Sequence, residues 1–244
     1  MTTLSSTPVL SVQRLNVGFG KQVVIQNLTF AVQRGETLAI IGPNGAGKSV
    51  LLRSLLGLLP HSGVIQWASG TKVGYVPQAI AADRQLPLSI NDLLQAKARI
   101  LKLSLKAVSD VAAIVGLTEE LLTTSVGILS GGQFQKALIA FALIGEPDVL
   151  LVDEPTASMD ELAEEHVYEL LEKLRIDRKL TVLLVSHDLS VVYQRATKVL
   201  CISKGKRCFG APRDILTPEI LAEVYSAPVK FYGHLHDHHE PDHA

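Results

Sequence analysis

Several features that mark other classes of protein are rare or missing in this sequence. The chain has 244 residues and only two cysteines, Cys201 and Cys208, which form no C-x-x-C pair. We therefore expect reduced cysteines with a structural role in a cytoplasmic protein. No apolar run approaches the ~18 residues that a transmembrane helix needs, and the longest, residues 137–145, is about half a span. The polar residues 1–8 have neither the basic start nor the apolar stretch of a signal peptide.

An excess of charge of one sign is also missing. The chain has 23 lysine and arginine residues against 24 aspartate and glutamate residues. It therefore lacks the overall positive charge that nucleic-acid binding usually requires, and we expect no nucleic-acid partner. No internal repeat is visible, and no heptad pattern is long enough for a coiled coil.

Strand and helix patterns alternate along most of the chain, and 47% of its residues are hydrophobic. Residues 9–17 and 23–32 predict two antiparallel strands that open the domain. Buried strands are predicted at residues 37–41, 149–152, 181–185 and 199–202. Helices are predicted from residue 48 onward, at 132–144 and at 161–174. This alternation favours an α/β fold with a parallel, doubly wound sheet.

Two further helical patterns, residues 92–101 and 104–115, lie between Gln78 and Ser130 with no strand between them. They predict a separate small helical lobe inserted into the sheet domain.

A glycine-rich segment between a predicted strand and a predicted helix fits the pattern G-x-x-x-x-G-K-[ST]. Its residues are Gly42, Pro43, Asn44, Gly45, Ala46, Gly47, Lys48 and Ser49. In such a loop the backbone N–H groups turn inward around phosphates, and the helix N-terminus adds partial positive charge. We expect Lys48 to bind the β- and γ-phosphates of ATP and Ser49 to hold Mg²⁺. A glycine-rich turn with a chance lysine is the alternative, which the flanking elements disfavour.

The predicted strand at residues 149–152 is followed by two acidic residues, Asp153 and Glu154. Ligands of α/β sheets bind at the carboxyl ends of the strands, where Asp153 would complete the magnesium shell through water. Glu154 is the candidate general base that polarises the attacking water. The alternative is a strand that ends in two solvated acids, which is common in isolation.

A second phosphate-binding helix N-terminus is predicted at Leu129-Ser130-Gly131-Gly132-Gln133. The serine and two glycines stand directly before a long helix, where backbone N–H groups are free to face phosphate. A single ATP needs only one such cradle. Two cradles in one chain predict that each serves a different nucleotide, which requires a second subunit.

These motifs, in this order, resemble the nucleotide-binding subunits of ABC transporters from about residue 9 to residue 209. The resemblance implies a P-loop NTPase (RecA-like) core with an N-terminal antiparallel β subdomain. It places the ATPase domain at residues 8–233, with the helical lobe at about 79–135, and leaves 234–244 as a C-terminal tail.

The resemblance also implies roles for single residues outside the strongest motifs. Gln78 in Gly-Tyr-Val-Pro-Gln is similar to the glutamine that senses Mg²⁺ and water and contacts the membrane partner. His187 resembles the histidine that bonds the γ-phosphate, and Asp160 the aspartate that crosses between the two sites. Phe19 resembles the aromatic residue that stacks on adenine.

Four positions depart from the family pattern. Val50 replaces a usual threonine after Ser49, which removes one expected side-chain hydrogen bond to the α-phosphate. Phe141 replaces a usual arginine on the helix behind residues 129–133, and Ser-Met replaces Ala-Leu before Asp160. The hydrolytic residues themselves are intact.

The implied assembly is a head-to-tail homodimer at the cytoplasmic face of the inner membrane. Ser130 and Gly132 of one subunit close over the γ-phosphate that the other subunit binds. An integral membrane permease is expected to dock near Gln78 and the helical lobe, and a periplasmic metal-binding protein acts indirectly through that permease. Closure on ATP and opening after hydrolysis would drive the permease.

The C-terminus is rich in histidine: five of the eight histidines fall in the last eleven residues. Imidazoles at His234, His236, His238 and His239 are candidate Zn²⁺ ligands, although a flexible tail offers no fixed geometry. A solvated polar tail is the alternative, and the irregular spacing argues against a six-histidine tag.

The Phe-Gly near the start, the Leu-Pro-Leu-Ser-Ile that begins the lobe and the histidine-rich tail resemble the ATPases of bacterial zinc-uptake importers. This resemblance predicts a subunit that powers zinc uptake. The alternatives are the same role for manganese or iron, or a soluble ABC ATPase that acts in DNA repair or translation.

Overall fold

The computed structural model describes residues 7–78, 87–157, 159–203 and 207–225. Its strands are β1 (Leu10–Phe19), β2 (Gln22–Val32), β3 (Thr37–Ile41), β4 (Ser62–Trp67), β5 (Val73–Val76), β6 (Val149–Asp153), β7 (Thr181–Val185), β8 (Lys198–Ile202) and β9 (Arg207–Gly210). Its α-helices are α1 (Lys48–Leu55), α2 (Ile90–Ile100), α3 (Lys106–Val115), α4 (Glu119–Thr123), α5 (Gly131–Leu143), α6 (Glu161–Arg178), α7 (Leu189–Arg195), α8 (Pro212–Ile215) and α9 (Pro218–Tyr225). A 3₁₀ turn at Val126–Ile128 precedes α5.

Two sheets form the body of the molecule. The larger has the strand order β5-β6-β7-β3-β8-β9 and is parallel except for the β8–β9 pair. The smaller is antiparallel, with the order β2-β1-β4. The predicted α/β class, the parallel sheet and the N-terminal antiparallel subdomain are therefore confirmed.

The three central strands β3, β6 and β7 are buried along their whole length. Helices cover both faces of such a sheet, so its strands carry continuous apolar runs and were predictable. Their carboxyl ends lie at one edge of the sheet, and the chain continues from them into Gly42, Glu154 and Ser186. This edge brings the predicted site residues together.

The lobe consists of α2, α3, α4 and the 3₁₀ turn, and it leads into α5. Ser89 caps α2 in a reciprocal capping box with Asp92, which explains why this helix starts two residues before the predicted position. The buried side chains of α2 and α3 belong to the same hydrophobic cluster as those of α5, β6 and α6. The lobe is thus inserted, as predicted, but it shares its core with the sheet domain.

The prediction of reduced cysteines is wrong for this structure, in which Cys201 and Cys208 form a disulfide. They lie directly opposite each other on the antiparallel pair β8–β9, with a Cα–Cα distance of 4.9 Å. Strand β9 was not predicted, so their separation of seven residues gave no sign of a hairpin. Opposed residues of such a pair have Cα atoms about 4.5–5.5 Å apart, within the range for a disulfide.

Among the residues that the structure describes, no helix combines the length and the apolar character needed to cross a bilayer. The candidate zinc ligands His234, His236, His238 and His239 lie outside the described residues.

Candidate nucleotide-binding site

The glycine-rich loop joins β3 to α1, as the sequence predicts. Gly47 is the N-cap of α1, with φ of 103°, a conformation that side chains other than glycine rarely adopt. A Cβ at Gly47 would lie 2.7 Å from Val24 Cγ1, and one at Gly42 would lie 2.0 Å from the carbonyl oxygen of Ile202. The two glycines therefore let the loop pass close to β2 and β8 and present the first turn of α1.

Lys48 is buried at the start of α1, with 6% of its surface exposed. Its Nζ donates hydrogen bonds to the carbonyl oxygens of Gly42, at 2.9 Å, and Pro43, at 3.4 Å. It also lies 3.5 Å from Glu154 Oε1. One ammonium group thus connects the loop to the acidic end of β6.

Asp153 ends β6 and is 2% exposed. Its Oδ2 accepts a hydrogen bond from the Tyr75 hydroxyl at 3.4 Å, while its Oδ1 is buried and has no hydrogen-bond partner among the described residues. Burial raises the pKa of Asp153, and the neighbouring Ser49 hydroxyl opposes this rise. A buried carboxylate oxygen without a partner, beside a hydroxyl, fits the oxygen ligands that Mg²⁺ prefers.

Both carboxylate oxygens of Glu154 are engaged. Gln78 Nε2 donates to Oε2 at 3.0 Å, and Lys48 lies near Oε1. The backbone of Glu154 has φ of 45°, and its N–H donates to the Val185 carbonyl oxygen at 3.1 Å. Gln78 and Glu154 thus meet from two different strand ends.

A cavity of about 400 Å³ lies over this group. It is lined by Val24, Asn44, Gly45, Gly47, Lys48, Ser49, Val50, Gln78 and Glu154. Its floor combines the glycine-rich backbone, one cation and the acidic end of β6, which is the composition that a magnesium-bound phosphate chain requires.

Four other predicted features do not line that cavity. Ser130 is instead the N-cap of α5: its hydroxyl accepts from the Gln133 N–H at 3.2 Å, and the Gln133 side chain accepts from the Ser130 N–H at 3.0 Å. Gly131 and Gly132 lie beside the side chains of Met159 and Ala163, next to the segment that contains Asp160.

The remaining three are exposed residues. Asp160 caps α6 through the Ala163 N–H. His187 lies exposed after β7, and Phe19, at the end of β1, is 50% exposed. Within the described part of this one chain, the residues predicted to cross between subunits thus form a surface apart from the phosphate loop.

Lys97 contacts Phe141, the residue that stands where the family usually has an arginine. Its Nζ lies 4.5 Å from the centroid of the Phe141 ring and donates to the Phe141 carbonyl oxygen at 2.5 Å. The desolvation of this half-buried ammonium lowers the pKa of Lys97. A lobe cation thus stands beside the last turn of α5, where positive charge is favourable.

Sequence reasoning missed Val24 and Tyr75 at the site. Val24 is one of several apolar residues of β2, and nothing in its pattern singles it out. Tyr75 precedes Gln78 by three residues on a strand that was not predicted, so its contact with Asp153 was not foreseeable.

A larger cavity, about 760 Å³, opens at the opposite edge of the parallel sheet. Several cations line it, but Arg34 pairs with Asp148 at 3.6 Å and Arg175 with Glu172 at 2.7 Å. Arg175 and Arg178 belong to the last turn of α6, where basic residues complement the helix dipole. The smaller cavity is therefore the functional one, because the titratable and phosphate-binding groups converge there.

A phosphate loop, a buried acidic strand end and an adjacent glutamate define a P-loop NTPase. Residues 25–157 match the family model described as "ABC transporter". The chain is 37% identical over 225 residues to the zinc import ATP-binding protein ZnuC of Brucella abortus (strain 2308), covering 90% of this chain and 74% of the relative. It is 36% identical to the protein of the same name from Photorhabdus laumondii, covering 94% and 90%.

The structural comparison agrees. A solved structure of a metal-chelate type ABC transporter in an inward-facing conformation superposes with a TM-score of 0.83, at 30% identity, over 91% of this chain and 90% of that one. The chain belongs to the ABC transporter family and is one of its ATP-hydrolysing subunits.

Proposed function

We propose that this chain is the ATPase subunit of an importer that takes up zinc across the inner membrane. The observation that carries the ATPase part is the approach of Lys48 and Glu154 to 3.5 Å at the mouth of the phosphate loop. The zinc cargo is supported by the names of relatives that are 36–37% identical to this chain.

The binding half of the mechanism uses the loop and the end of β6. The backbone of residues 42–47 cradles the phosphates of ATP, and Lys48 binds the β- and γ-phosphates. Ser49, Asp153 and Gln78 would hold magnesium, which when bound would neutralise charge on the phosphate oxygens. Phe19 stacks on adenine. Lys48 exchanges its bonds with the Gly42 and Pro43 carbonyls for bonds with phosphate.

The hydrolytic half uses Glu154 as the general base. Its carboxylate accepts a proton from the attacking water, and Gln78, already bonded to that carboxylate, orients both groups. His187 bonds the γ-phosphate as negative charge develops there. The products are ADP and phosphate.

A second copy of the chain completes each site. Ser130, Gly131, Gly132 and Gln133 of one subunit close over the γ-phosphate held by the other, and Asp160 crosses between the two sites. Their location away from the cavity of their own chain supports this arrangement.

The permease is proposed to dock near Gln78 and the lobe, which places the subunit peripherally on the cytoplasmic face of the membrane. Two exposed apolar side chains support this surface: Leu88 is 41% and Ile128 is 77% exposed. The Val126 N–H donates to the Leu88 carbonyl oxygen at 2.9 Å, which holds the two segments together. A periplasmic metal-binding protein would deliver the cargo to the permease.

The histidine-rich tail is proposed to bind zinc on the cytoplasmic side through His234, His236, His238 and His239. The support is compositional: imidazoles alternate with carboxylates over residues 234–243. Tail and transport are tested in one uptake assay.

That assay compares cells that lack the chain with cells that express it, using radioactive zinc, manganese and iron. We expect zinc uptake alone to require the chain, and Glu154→Gln to behave like its absence. A variant without residues 233–244 should still support zinc uptake, but the rate of that uptake should no longer depend on the intracellular zinc concentration. If the chain restored uptake of manganese or iron instead of zinc, the assignment of zinc as the cargo would be wrong. If the variant without the tail responded to intracellular zinc as the wild type does, the tail would have no role in regulating transport.

A further inference from the structure

The side chain of Tyr75 reaches from β5 to the acidic end of β6. It lies on β5, paired with Leu151 of β6, and is partly buried. Its hydroxyl donates to Asp153 Oδ2 at 3.4 Å. Tyr75 has no role in the proposed mechanism, yet it contacts a proposed magnesium ligand directly.

The Tyr75 hydroxyl also has a second partner. Arg53, one turn and a half into α1, lies near it and interacts with it electrostatically. An ionised carboxylate can only accept a hydrogen bond, so the phenol is the donor in its contact with Asp153. A continuous chain of contacts therefore runs from the helix after the phosphate loop, through the phenol, to the carboxylate.

The two oxygens of Asp153 are consequently distinguished. Oδ2 is occupied by the phenol, whereas Oδ1 is buried and has no hydrogen-bond partner among the described residues. A carboxylate that accepts a hydrogen bond at one oxygen cannot rotate freely about the Cβ–Cγ bond, so the other oxygen keeps one position. Hydrogen-bonding partners of this kind orient metal ligands and affect metal affinity about 10–100-fold.

We propose that Tyr75 is a positioning residue for the magnesium site, fixing Asp153 through Oδ2 so that Oδ1 remains available to the hydrated ion. This inference rests on the proposed ATPase site. It goes beyond that site because it assigns part of the magnesium affinity to a neutral side chain that touches neither nucleotide nor metal.

The test is Tyr75→Phe in the purified full-length chain. Binding of a fluorescent ATP analogue is measured in EDTA and across a magnesium titration, and Mn²⁺ binding to the nucleotide complex is measured by electron paramagnetic resonance. We expect the apparent affinity for both ions to fall about tenfold, while nucleotide binding in EDTA stays at the wild-type value. Arg53→Gln, which removes the charge at the far end of the contact chain, should weaken ion binding to a smaller extent.

Tyr168→Phe is the matched control. Its hydroxyl is also buried and bonds to Thr156 and Ser186, so the same chemical change occurs away from Asp153. Ion affinity equal to wild type in both tyrosine variants would overturn the proposal, as would a Tyr75→Phe loss of nucleotide binding in EDTA, which would assign the residue to the loop. If the wild-type chain bound no ATP in either condition, the proposed function itself would fail.

Discussion

At the scale of single residues, the chemistry depends on how Glu154 is held. Its positive φ has a conformational cost of order 1–3 kcal/mol for a residue other than glycine, and the bond from its N–H to Val185 helps to maintain it. Its carboxylate is fixed by Gln78 and Lys48 rather than solvated freely. Such pre-organisation is expected of a general base and distinguishes Glu154 from an ordinary strand-end acid.

Glu154→Gln should therefore separate binding from hydrolysis. Glutamine has nearly the same size and can still accept from Gln78, but it cannot take a proton from water. We expect steady-state ATPase activity to fall by about 100-fold or more, with ATP binding retained. Dimers should accumulate with magnesium and ATP, as measured by size-exclusion chromatography.

The control for this change is Glu169→Gln, an exposed carboxylate on α6 that does not line the cavity over the phosphate loop. It should leave both the ATPase rate and the monomer–dimer distribution unchanged. Unaltered turnover in Glu154→Gln would exclude Glu154 as the base.

Sequence reasoning was strongest where backbone geometry restricts the residue type. Gly42 and Gly47 were identifiable because no other residue fits beside Ile202 and Val24. Lys48, Asp153 and Glu154 followed from their place relative to a strand and a helix. Tyr75 was not identifiable, because its role depends on which strand pairs with β6, and a four-residue strand containing glycine carries almost no periodic signal.

At the scale of elements, burial separates the strands that were predicted from the sequence from those that were missed. Strands β3, β6 and β7 are buried along their whole length and are apolar except for one polar residue at an end of each. Strands β4 and β9 are short edge strands with largely exposed or partly buried residues, so their sequences do not differ from loops. The disulfide was missed for that reason, since it joins β8 to the unpredicted β9.

Helix α5 begins with a residue that has two proposed roles. The Ser130 hydroxyl caps the helix by accepting from the Gln133 N–H, and it is also proposed to face the γ-phosphate of the partner's ATP. Substitution by aspartate separates these roles, because aspartate is an equally good N-cap and its charge suits a helix N-terminus. That same charge would repel phosphate.

The free energy of unfolding of Ser130→Asp should consequently lie within about 1 kcal/mol of the wild-type value. ATP binding by the isolated subunit should also persist. ATPase activity should fall about 100-fold or more, because one donor to the developing charge is replaced by an anion. Thermal unfolding, nucleotide binding and phosphate release measure the three quantities.

The matched control is Thr118→Asp, which introduces the same charge at the N-cap of α4, where the threonine hydroxyl accepts from the Leu121 N–H. It should leave the ATPase rate unchanged. Full activity in Ser130→Asp would show that α5 does not meet phosphate.

At the scale of the whole molecule, one chain provides the phosphate loop of one ATP site and the Ser130 surface of another. The cavity over the phosphate loop is lined by residues from β2, the loop, α1 and the ends of β5 and β6, and no residue from 130–133 is among them in the described structure. Gly131 and Gly132 lie instead beside Met159 and Ala163. A symmetric dimer places each such surface against the loop of the other chain, so each site is completed by a residue set from the other subunit.

Mixing two inactive variants tests this geometry without a partner structure. Lys48→Ala removes phosphate binding at its own loop, and Ser130→Asp spoils the surface offered to the partner. A mixed dimer contains one site with an intact loop from one chain and an intact Ser130 surface from the other, while its second site carries both defects. Random mixing at equal amounts makes half of the dimers mixed, so we expect up to about a quarter of wild-type ATPase activity to return. If Lys48 and Ser130 instead served the same nucleotide within one chain, each variant would inactivate its own site completely, and the mixture would stay as inactive as either variant alone.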